Sequence, residues 1–308
     1  MSFLVELPLE AYRADVFDAF KQGIDFDLGT ARALMWMSQL AYEVRDAPHK
    51  VEPILRRWNL DPVDLLTHKN TSLVPLASTR GIMASRHDAT IVAFAGTDPL
   101  AIGNWITNFT LGPRAREAHF GFEAAVHAVW DELCVALRSR PTQPLFITGH
   151  SLGGALAVIA AERAARELNI LATGVYTFGA PRVAASGFFD AYRAAGLAER
   201  TYRLVHGHDV IATIPPSRLG FRHVGRMLAC TRSGRFMPDV ALSACDCDDP
   251  PFVDTLKNGY RQRWRDFLTG SFPESSRTGM LGWYQRYVLP PLIGDHLPDR
   301  YRRAFDER

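Results

Sequence analysis

Residues 145–154 read Leu-Phe-Ile-Thr-Gly-His-Ser-Leu-Gly-Gly, and an alanine-rich stretch follows. The apolar run 145–148 is typical of a buried parallel strand, and residues 155–168 contain no proline or glycine and favour a helix. Ser151 therefore falls on a sharp turn between strand and helix, which projects its hydroxyl out of the chain. This unit predicts an α/β fold with Ser151 as nucleophile. The N–H of Leu152, at the start of the helix, is a candidate oxyanion donor.

The composition limits the class of protein. The chain has 308 residues, of which 47% are hydrophobic and 22% charged, with a net charge of +2. This length suits one large α/β domain with decorations or two small domains, and the weak charge gives no reason to expect a nucleic-acid partner. The sequence lacks an apolar run of about 18 residues, so no transmembrane segment is expected. The first residues do not resemble a secretory signal, which favours a cytoplasmic protein or one exported by a leaderless route.

The cysteines provide little evidence for a metal. Two of them, Cys245 and Cys247, flank Asp246 in an acidic stretch. No paired cysteine or histidine spacing completes a tetrahedral site, so an exposed loop with free thiols is favoured over a metal site. The sequence suggests neither a metal nor a cofactor.

Strand and helix patterns alternate through the first two thirds of the chain. The predicted strands cover 80–85, 89–95, 145–148, 175–178 and 202–205, and the predicted helices cover 27–42, 53–58, 122–137, 155–168 and 187–195. The first two strands are predicted to form a hairpin, and the alternation predicts a mostly parallel sheet with helices on both faces. Aromatic residues at helical spacing between 252 and 267 predict a further helix, with core packing favoured over a substrate-binding surface.

A nucleophilic serine needs a base and an orienting carboxylate. In an α/β fold with the serine on such a turn, both come later in the sequence than the serine, first the acid and then the histidine. Asp209 directly follows the strand at 202–205, at the sheet edge where Ser151 is expected, whereas Asp190 and Asp239 have no comparable position. Asp209 is therefore the candidate acid.

Two histidines follow Asp209. His223 falls in a short apolar stretch, where a histidine more often packs or binds backbone. His296 falls in a turn just before a terminal helix, and a base that reaches over the sheet edge fits that position. His296 is therefore preferred as the base.

The strand that ends at Ala95 supplies a second candidate oxyanion group. Gly96 and Thr97 follow it, and Thr97 can donate through its backbone N–H and its hydroxyl. An apolar segment comes next, and we hypothesise that Leu100, Ile102 and Trp105 gate the site or contact an acyl chain. Simple core packing explains those three residues equally well.

Seven short sequence motifs, taken together and in chain order, form one pattern. They are 94–97 (Phe-Ala-Gly-Thr), 104–109 (Asn-Trp-Ile-Thr-Asn-Phe), 119–122 (His-Phe-Gly-Phe), 149–155 (Gly-His-Ser-Leu-Gly-Gly-Ala), 177–183 (Thr-Phe-Gly-Ala-Pro-Arg-Val), 209–216 (Asp-Val, then Ile-Pro-Pro) and 295–297 (Asp-His-Leu). In this order they resemble the fungal-type, or class 3, lipase family of α/β-hydrolases. The resemblance implies an α/β-hydrolase fold in one domain over 1–308, with N-terminal helices in 1–60 and a lid near 98–110.

The chain departs from the family pattern in two places. Ala95 stands where the family usually has an arginine, which would remove a supporting ion pair. The stretch between Asp209 and His296 is long, and it predicts extra helical elements near 240–290 and a cap insertion at 235–290.

The resemblance implies a serine carboxylic-ester hydrolase that acts on lipid esters, similar to triacylglycerol lipases. It implies a Ser151–His296–Asp209 triad and an acyl-enzyme intermediate. It also implies that the protein acts at a membrane or lipid-droplet interface. A phospholipase on membrane lipids remains an alternative, since an arginine-rich end would suit anionic headgroups; a solvated helix face explains that end as well. An esterase or acyltransferase on soluble esters, and an inactive hydrolase used as a binding module, also stay open. The arginines concerned are Arg300, Arg302, Arg303 and Arg308.

Overall fold

A seven-stranded sheet forms the centre of the computed structural model. The model describes residues 5–68, 79–97, 118–140, 142–231, 234–237, 242–243, 251–272, 279–289 and 291–305. The strands β1 to β7 span Asp61–His68, Thr79–Ser85, Thr90–Phe94, Leu145–His150, Gly174–Phe178, Thr201–His206 and Arg226–Cys230, and they lie side by side in chain order. The predicted hairpin is present as antiparallel β2 and β3, with Ser85 opposite Thr90. From β3 to β7 all pairs are parallel, which confirms the mostly parallel sheet.

Helices cover both faces of this sheet. The helices α1 to α11 span Leu28–Leu40, Glu43–Asp46, Val51–Arg57, Ala118–His127, Trp130–Arg138, Leu152–Leu168, Ser186–Ala194, Phe252–Thr269, Gly279–Tyr287, Pro291–Gly294 and Pro298–Arg303. Alternate residues of β3 enter two separate cores: Val92 packs with α4 to α7, and Ala93 packs with α1, α3 and α11. Because successive strand residues point to opposite faces, the two cores lie on opposite sides of the sheet.

One predicted helix is in fact two. The pattern at 122–137 was expected to be continuous, but α4 ends at His127 and α5 begins at Trp130, with Val129 outside helical geometry. The break lets the Trp130 indole donate to Glu167 Oε2 of α6 at 2.8 Å, while Arg163 lies over the ring at 4.5 Å. Tertiary contacts thus override the helical pattern here.

The aromatic helix was also predicted wrongly in its packing. The helix forms, as α8, but Tyr260, Trp264 and Phe267 are exposed instead of lying in the core. The residues that face the protein are small or polar, such as Thr255 and Gly259. Spacing predicted which residues share a face, but not the direction in which that face points.

Two of the arginines near the C-terminus, Arg300 and Arg302, do not form a solvated or lipid-facing surface. Arg300 and Arg302 are buried in α11, and Arg302 binds Asp299 at 3.1 Å and stacks over the Trp36 ring at 4.6 Å. Both readings of this segment are therefore wrong for these two residues, which help to attach α11 to α1. Among the described helices, none has both the length and the apolar composition needed to cross a bilayer.

Candidate active site

Ser151 lies on a strained turn between β4 and α6. Its φ of +60° and ψ of −132° fall in a region that residues with a side chain rarely adopt. The N–H of Ser151 donates to the carbonyl of Phe178 on β5 at 2.9 Å, and the Ser151 carbonyl accepts from Gly154 at 2.9 Å. Neighbouring structure thus holds the strained conformation in place, at the carboxyl ends of the central parallel strands.

Asp209 and His296 form a buried pair. His296 Nδ1 donates to Asp209 Oδ2 at 2.8 Å, although the two residues lie far apart in the sequence. The same carboxylate accepts from the Ile211 N–H at 2.9 Å and from the Tyr301 hydroxyl at 2.5 Å. Three donors therefore fix the carboxylate, and the carboxylate fixes the imidazole ring.

The second nitrogen of His296 is available for chemistry. Because Nδ1 carries the proton given to Asp209, Nε2 of the neutral ring is an acceptor, and it is buried without a hydrogen-bond partner in the described part of the chain. The pair lies beside Gly179, where an added Cβ would be 3.1 Å from His296 Nδ1. Gly179 directly follows Phe178, the residue that binds Ser151. The base and the serine are thus brought to the same end of β5.

The alternative histidine has a different environment. His223 Nε2 donates to the carbonyl of Ala212 at 2.7 Å, and the side chain is buried. Burial, together with the nearby Arg203 and Arg182, lowers the pKa of His223 well below its usual range. This is a histidine that binds backbone, as expected from its position in the sequence.

Tyr301 is a site residue that the sequence reasoning did not assign. Burial first, and the adjacent Asp209 charge second, raise the pKa of Tyr301 well above the usual value, so its hydroxyl stays protonated and donates. The hydroxyl also accepts from the His206 N–H at 3.2 Å. The only sequence signal is a tyrosine in the helix that follows the His296 turn, and this signal is too general to predict the contact.

His150, next to the serine, connects three parts of the site. Burial, with a smaller contribution from His296, lowers the pKa of His150 well below the usual value, so the ring is neutral. Its Nε2 donates to the His296 carbonyl at 2.8 Å, which leaves Nδ1 to accept from the Tyr42 hydroxyl at 2.8 Å. Through His150, the loop of the proposed base is thus connected by hydrogen bonds to Tyr42, which lies just after α1.

The end of β3 packs against the serine turn. A Cβ added at Gly96 would lie 2.6 Å from the His150 carbonyl oxygen and 2.8 Å from Ser151 Cβ, so only glycine permits this approach. Thr97 is the next residue and is partly exposed, whereas Leu152 opens α6 on the other side of the serine. The two candidate oxyanion residues thus flank Ser151.

Several predicted residues lie outside the described part of the chain. These are the candidate lid residues Leu100, Ile102 and Trp105 and the pair Cys245 and Cys247.

Part of the chain is similar in sequence to known lipases. The model of the family described as Lipase (class 3) matches residues 91–219. This matched segment, less than half of the chain, is similar to class 3 lipases. The chain is 33% identical over 132 residues to a secreted mono- and diacylglycerol lipase of Fusarium solani, covering 40% of this chain and 38% of the relative. It is 29% identical over 183 residues to a lipase of Rhizomucor miehei, covering 54% of this chain and 49% of the relative. The chain therefore spans half or less of the length of these relatives.

Solved structures establish the fold. Lipase II from Rhizopus niveus superposes with a TM-score of 0.56 at 21% identity, over 72% of this chain and 87% of that one. A triacylglycerol lipase whose catalytic centre is a serine protease triad gives the same TM-score and coverage at 22% identity. At such identities the likeness concerns the fold, which is that of the α/β-hydrolases.

Arg80 lies beside Ala95, the position at which the chain departs from the pattern that it resembles. Ala95 stands where the sequence resemblance led us to expect an arginine. Arg80, on the neighbouring β2, donates from Nη2 to the Gly96 carbonyl at 3.1 Å, and its own carbonyl accepts from the Ala95 N–H at 2.9 Å. A buried guanidinium from another strand therefore supports the backbone just before Thr97.

Proposed function

We propose that the chain is a serine carboxylic-ester hydrolase that acts on lipid esters. One observation carries the proposal: Ser151 sits on a strained turn beside a buried Asp209–His296 pair whose Nε2 accepts no hydrogen bond from the described residues. The relatives support it, since they include a mono- and diacylglycerol lipase and a triacylglycerol lipase with a serine protease triad.

In the proposed mechanism, the Ser151 hydroxyl attacks the ester carbonyl while His296 Nε2 takes its proton. Asp209 keeps the ring in the tautomer with its proton on Nδ1 and stabilises the imidazolium that forms. Collapse of the tetrahedral intermediate breaks the ester bond, and the imidazolium protonates the departing alcohol oxygen. The acyl group remains on Ser151 until a water, deprotonated by His296, releases it as a carboxylic acid.

The negative oxygen of each intermediate needs donors that are already oriented. We assign the backbone N–H groups of Leu152 and Thr97 to this role, with the Thr97 hydroxyl as a further donor. Leu152 starts α6, so its N–H is among those that have no partner within the helix. Removal of one such donor typically costs about 10²- to 10³-fold in rate.

Access to the serine decides the substrate. Ser151 is 2% exposed and His296 is 1% exposed, so both side chains are almost completely shielded from solvent. The hypothesis that Leu100, Ile102 and Trp105 gate this access stays a prediction. It expects Trp105→Ala to change the preferred acyl-chain length and activity to rise once a long-chain ester exceeds its solubility.

Labelling with a fluorophosphonate probe tests the chemistry directly. The native chain should react, and Ser151→Ala should not. His296→Gln should lower ester turnover by several orders of magnitude, and Asp209→Asn by about 10⁴-fold. His223→Gln is the matched control, because it alters another buried histidine, which donates to the backbone carbonyl of Ala212, and it should keep most of the activity.

The proposal fails if the native chain is not labelled, a result that would favour an inactive hydrolase used as a binding module. The assignment of the base fails if His223→Gln, folded as well as His296→Gln, loses as much activity. Hydrolysis of a panel of triacylglycerol, monoacylglycerol, phospholipid and short nitrophenyl esters separates a lipase from a phospholipase and from an esterase on soluble substrates.

A further inference from the structure

The outward face of α8 is apolar. Tyr260, Trp264, Phe267 and Leu268 are between 51% and 69% exposed. Their spacing places all four on one side of the helix. Large side chains that share an exposed face are uncommon on a soluble protein and mark a site of interaction.

The opposite face shows that this orientation is built into the sequence. The buried positions of α8 are Thr255, Gly259 and Asp266, and Gln262 donates to Asp266 Oδ1 at 2.9 Å. An ordinary surface helix buries its large apolar residues and exposes its polar ones. From Tyr260 to Leu268 the arrangement is inverted, and the large apolar side chains of this half of α8 are left exposed by the described part of the chain.

The apolar face continues onto α9. Met280, Trp283, Tyr287 and Val288 are between 41% and 85% exposed. A series of ring contacts joins the two helices, with centroid separations between 4.7 and 6.5 Å: Trp264–Phe267, Phe267–Phe272, Phe272–Tyr287 and Tyr287–Trp283. Arg263 of α8 also donates to the Arg286 carbonyl of α9 at 3.1 Å. We call the following exposed side chains of α8 and α9, together with Val288 just after α9, the aromatic surface: Tyr260, Trp264, Phe267, Leu268, Met280, Trp283, Tyr287 and Val288.

Positive charge lies directly beside the aromatic surface. A groove along α8 is lined by Leu256, Lys257, Tyr260, Arg261, Trp264 and Arg265. The three basic residues are exposed, whereas of the two acidic residues on α8, Asp254 lies in the first turn and Asp266 is buried. Tryptophan and tyrosine prefer the boundary between water and hydrocarbon, and lysine and arginine next to them attract anionic headgroups.

We propose that α8 and α9 dock the protein on an anionic phospholipid surface, with the helices lying in the headgroup region. Neither helix is long and apolar enough to span a bilayer. The chain runs from α9 through α10, which contacts α8, directly to His296. The proposed docking helices are therefore joined, through α10, to the loop that carries the proposed base. The inference goes beyond the proposed hydrolysis, because binding needs no intact triad.

Sedimentation with lipid vesicles tests this inference on the Ser151→Ala chain, in which hydrolysis cannot interfere. Binding should be strong to vesicles of equal parts phosphatidylcholine and phosphatidylglycerol, weak to pure phosphatidylcholine, and reduced by salt. Arg261→Gln and Arg265→Gln should each weaken binding by about fivefold, which corresponds to about 1 kcal/mol per charge. Trp264→Ser together with Phe267→Ser should weaken it by at least about tenfold. Trp283→Ser tests α9 separately.

Matched controls come from α5, where Val135 and Arg138 are also exposed. The Val135→Ser and Arg138→Gln variants should bind vesicles like the parent chain. All variants, placed in the native background, should keep their turnover of a short soluble ester.

The proposal is overturned if the parent chain binds no anionic vesicles, or if the α8 variants bind like the controls. It is equally overturned if the parent forms a dimer in solution that Trp264→Ser abolishes, since the surface would then serve a second copy. Vesicle binding without any ester turnover would instead refute only the proposed function.

Discussion

Gly179 offers the sharpest test of the geometry around Asp209. Its φ is +59°, and an added Cβ would lie 2.5 Å from Asp209 Oδ2, 2.8 Å from the Tyr301 hydroxyl and 3.1 Å from His296 Nδ1. Gly179→Ala therefore places a methyl group among the polar atoms that hold the pair together. Gly196 is the matched control, because its φ is +71° and an added Cβ there has no neighbour within 4 Å.

The magnitude follows from these contacts. An alanine with positive φ costs roughly 1–2 kcal/mol of stability, and both variants share this cost. Only Gly179→Ala must also displace the carboxylate, by about 1 Å to restore normal contact, which would stretch or break the 2.8 Å hydrogen bond to His296. A misplacement of this size costs about 10²-fold in rate, and complete loss of the aspartate's function about 10⁴-fold. We expect Gly179→Ala to fall between these limits and Gly196→Ala to keep the native rate.

Turnover of a soluble nitrophenyl ester and the rate of fluorophosphonate labelling measure the effect, and urea unfolding measures stability in parallel. Both rates should fall for Gly179→Ala while the protein stays folded. A folded Gly179→Ala variant with rates within twofold of Gly196→Ala would refute the reasoning. The carboxylate at Asp209 would then not need the position that the structure gives it.

Three further predictions concern the residues around the site. Tyr301→Phe should lower the free energy of unfolding by about 1.5–3 kcal/mol, because Asp209 loses a charge-assisted hydrogen bond; urea denaturation measures this loss. Stability should fall as the pH drops below about 6.5, since His150 and His223 have depressed pKa values and the unfolded chain takes up their protons first. Arg80→Ala should lower kcat about tenfold with little change in KM, because the carbonyl before the proposed oxyanion residue loses its donor.

Each of these predictions has a result that contradicts it. Unchanged urea stability of Tyr301→Phe would mean that the short hydrogen bond contributes nothing net. A native chain equally stable at pH 7 and pH 5 would mean that the two histidines titrate normally when folded; if His223→Gln shows the native acid loss, His223 does not contribute to it. A change in KM alone for Arg80→Ala would place the role of that guanidinium in binding instead of in the stabilisation of the intermediate.

The sequence predicted the centre of the fold well, because local and tertiary preferences agree there. The strand before Ser151 and the helix after it are continuous apolar segments with strong intrinsic propensities, and the turn needs its glycines. Asp209 follows β6, and parallel strands bring their carboxyl ends to one edge. The approach of His296 to Asp209 is a long-range contact, and chain order and the family resemblance made it predictable.

The sheet edges were not predictable in the same way. β1, Asp61–His68, carries Pro62 and two aspartates near its start, a composition typical of a loop. It nevertheless pairs with β2, with a register shift between Pro62 and Asp64. An edge strand tolerates proline because one side of its backbone needs no partner, so the usual strand signals are weak there. Tyr301 was missed for a related reason, since its role depends on a single tertiary contact.

The aromatic residues of α8 show what helical periodicity cannot determine. Their spacing identifies a common face, and the usual expectation buries that face because apolar surface avoids water. The direction depends on which face packs better against the rest of the protein, and here the buried face is the narrow one with Thr255 and Gly259. A sequence signal did exist: lysine and arginine lie beside the aromatic residues at 257, 261 and 265, where burial would leave three charges without water. Cations interleaved with tryptophan and tyrosine on one helix argue for an interface in place of a core.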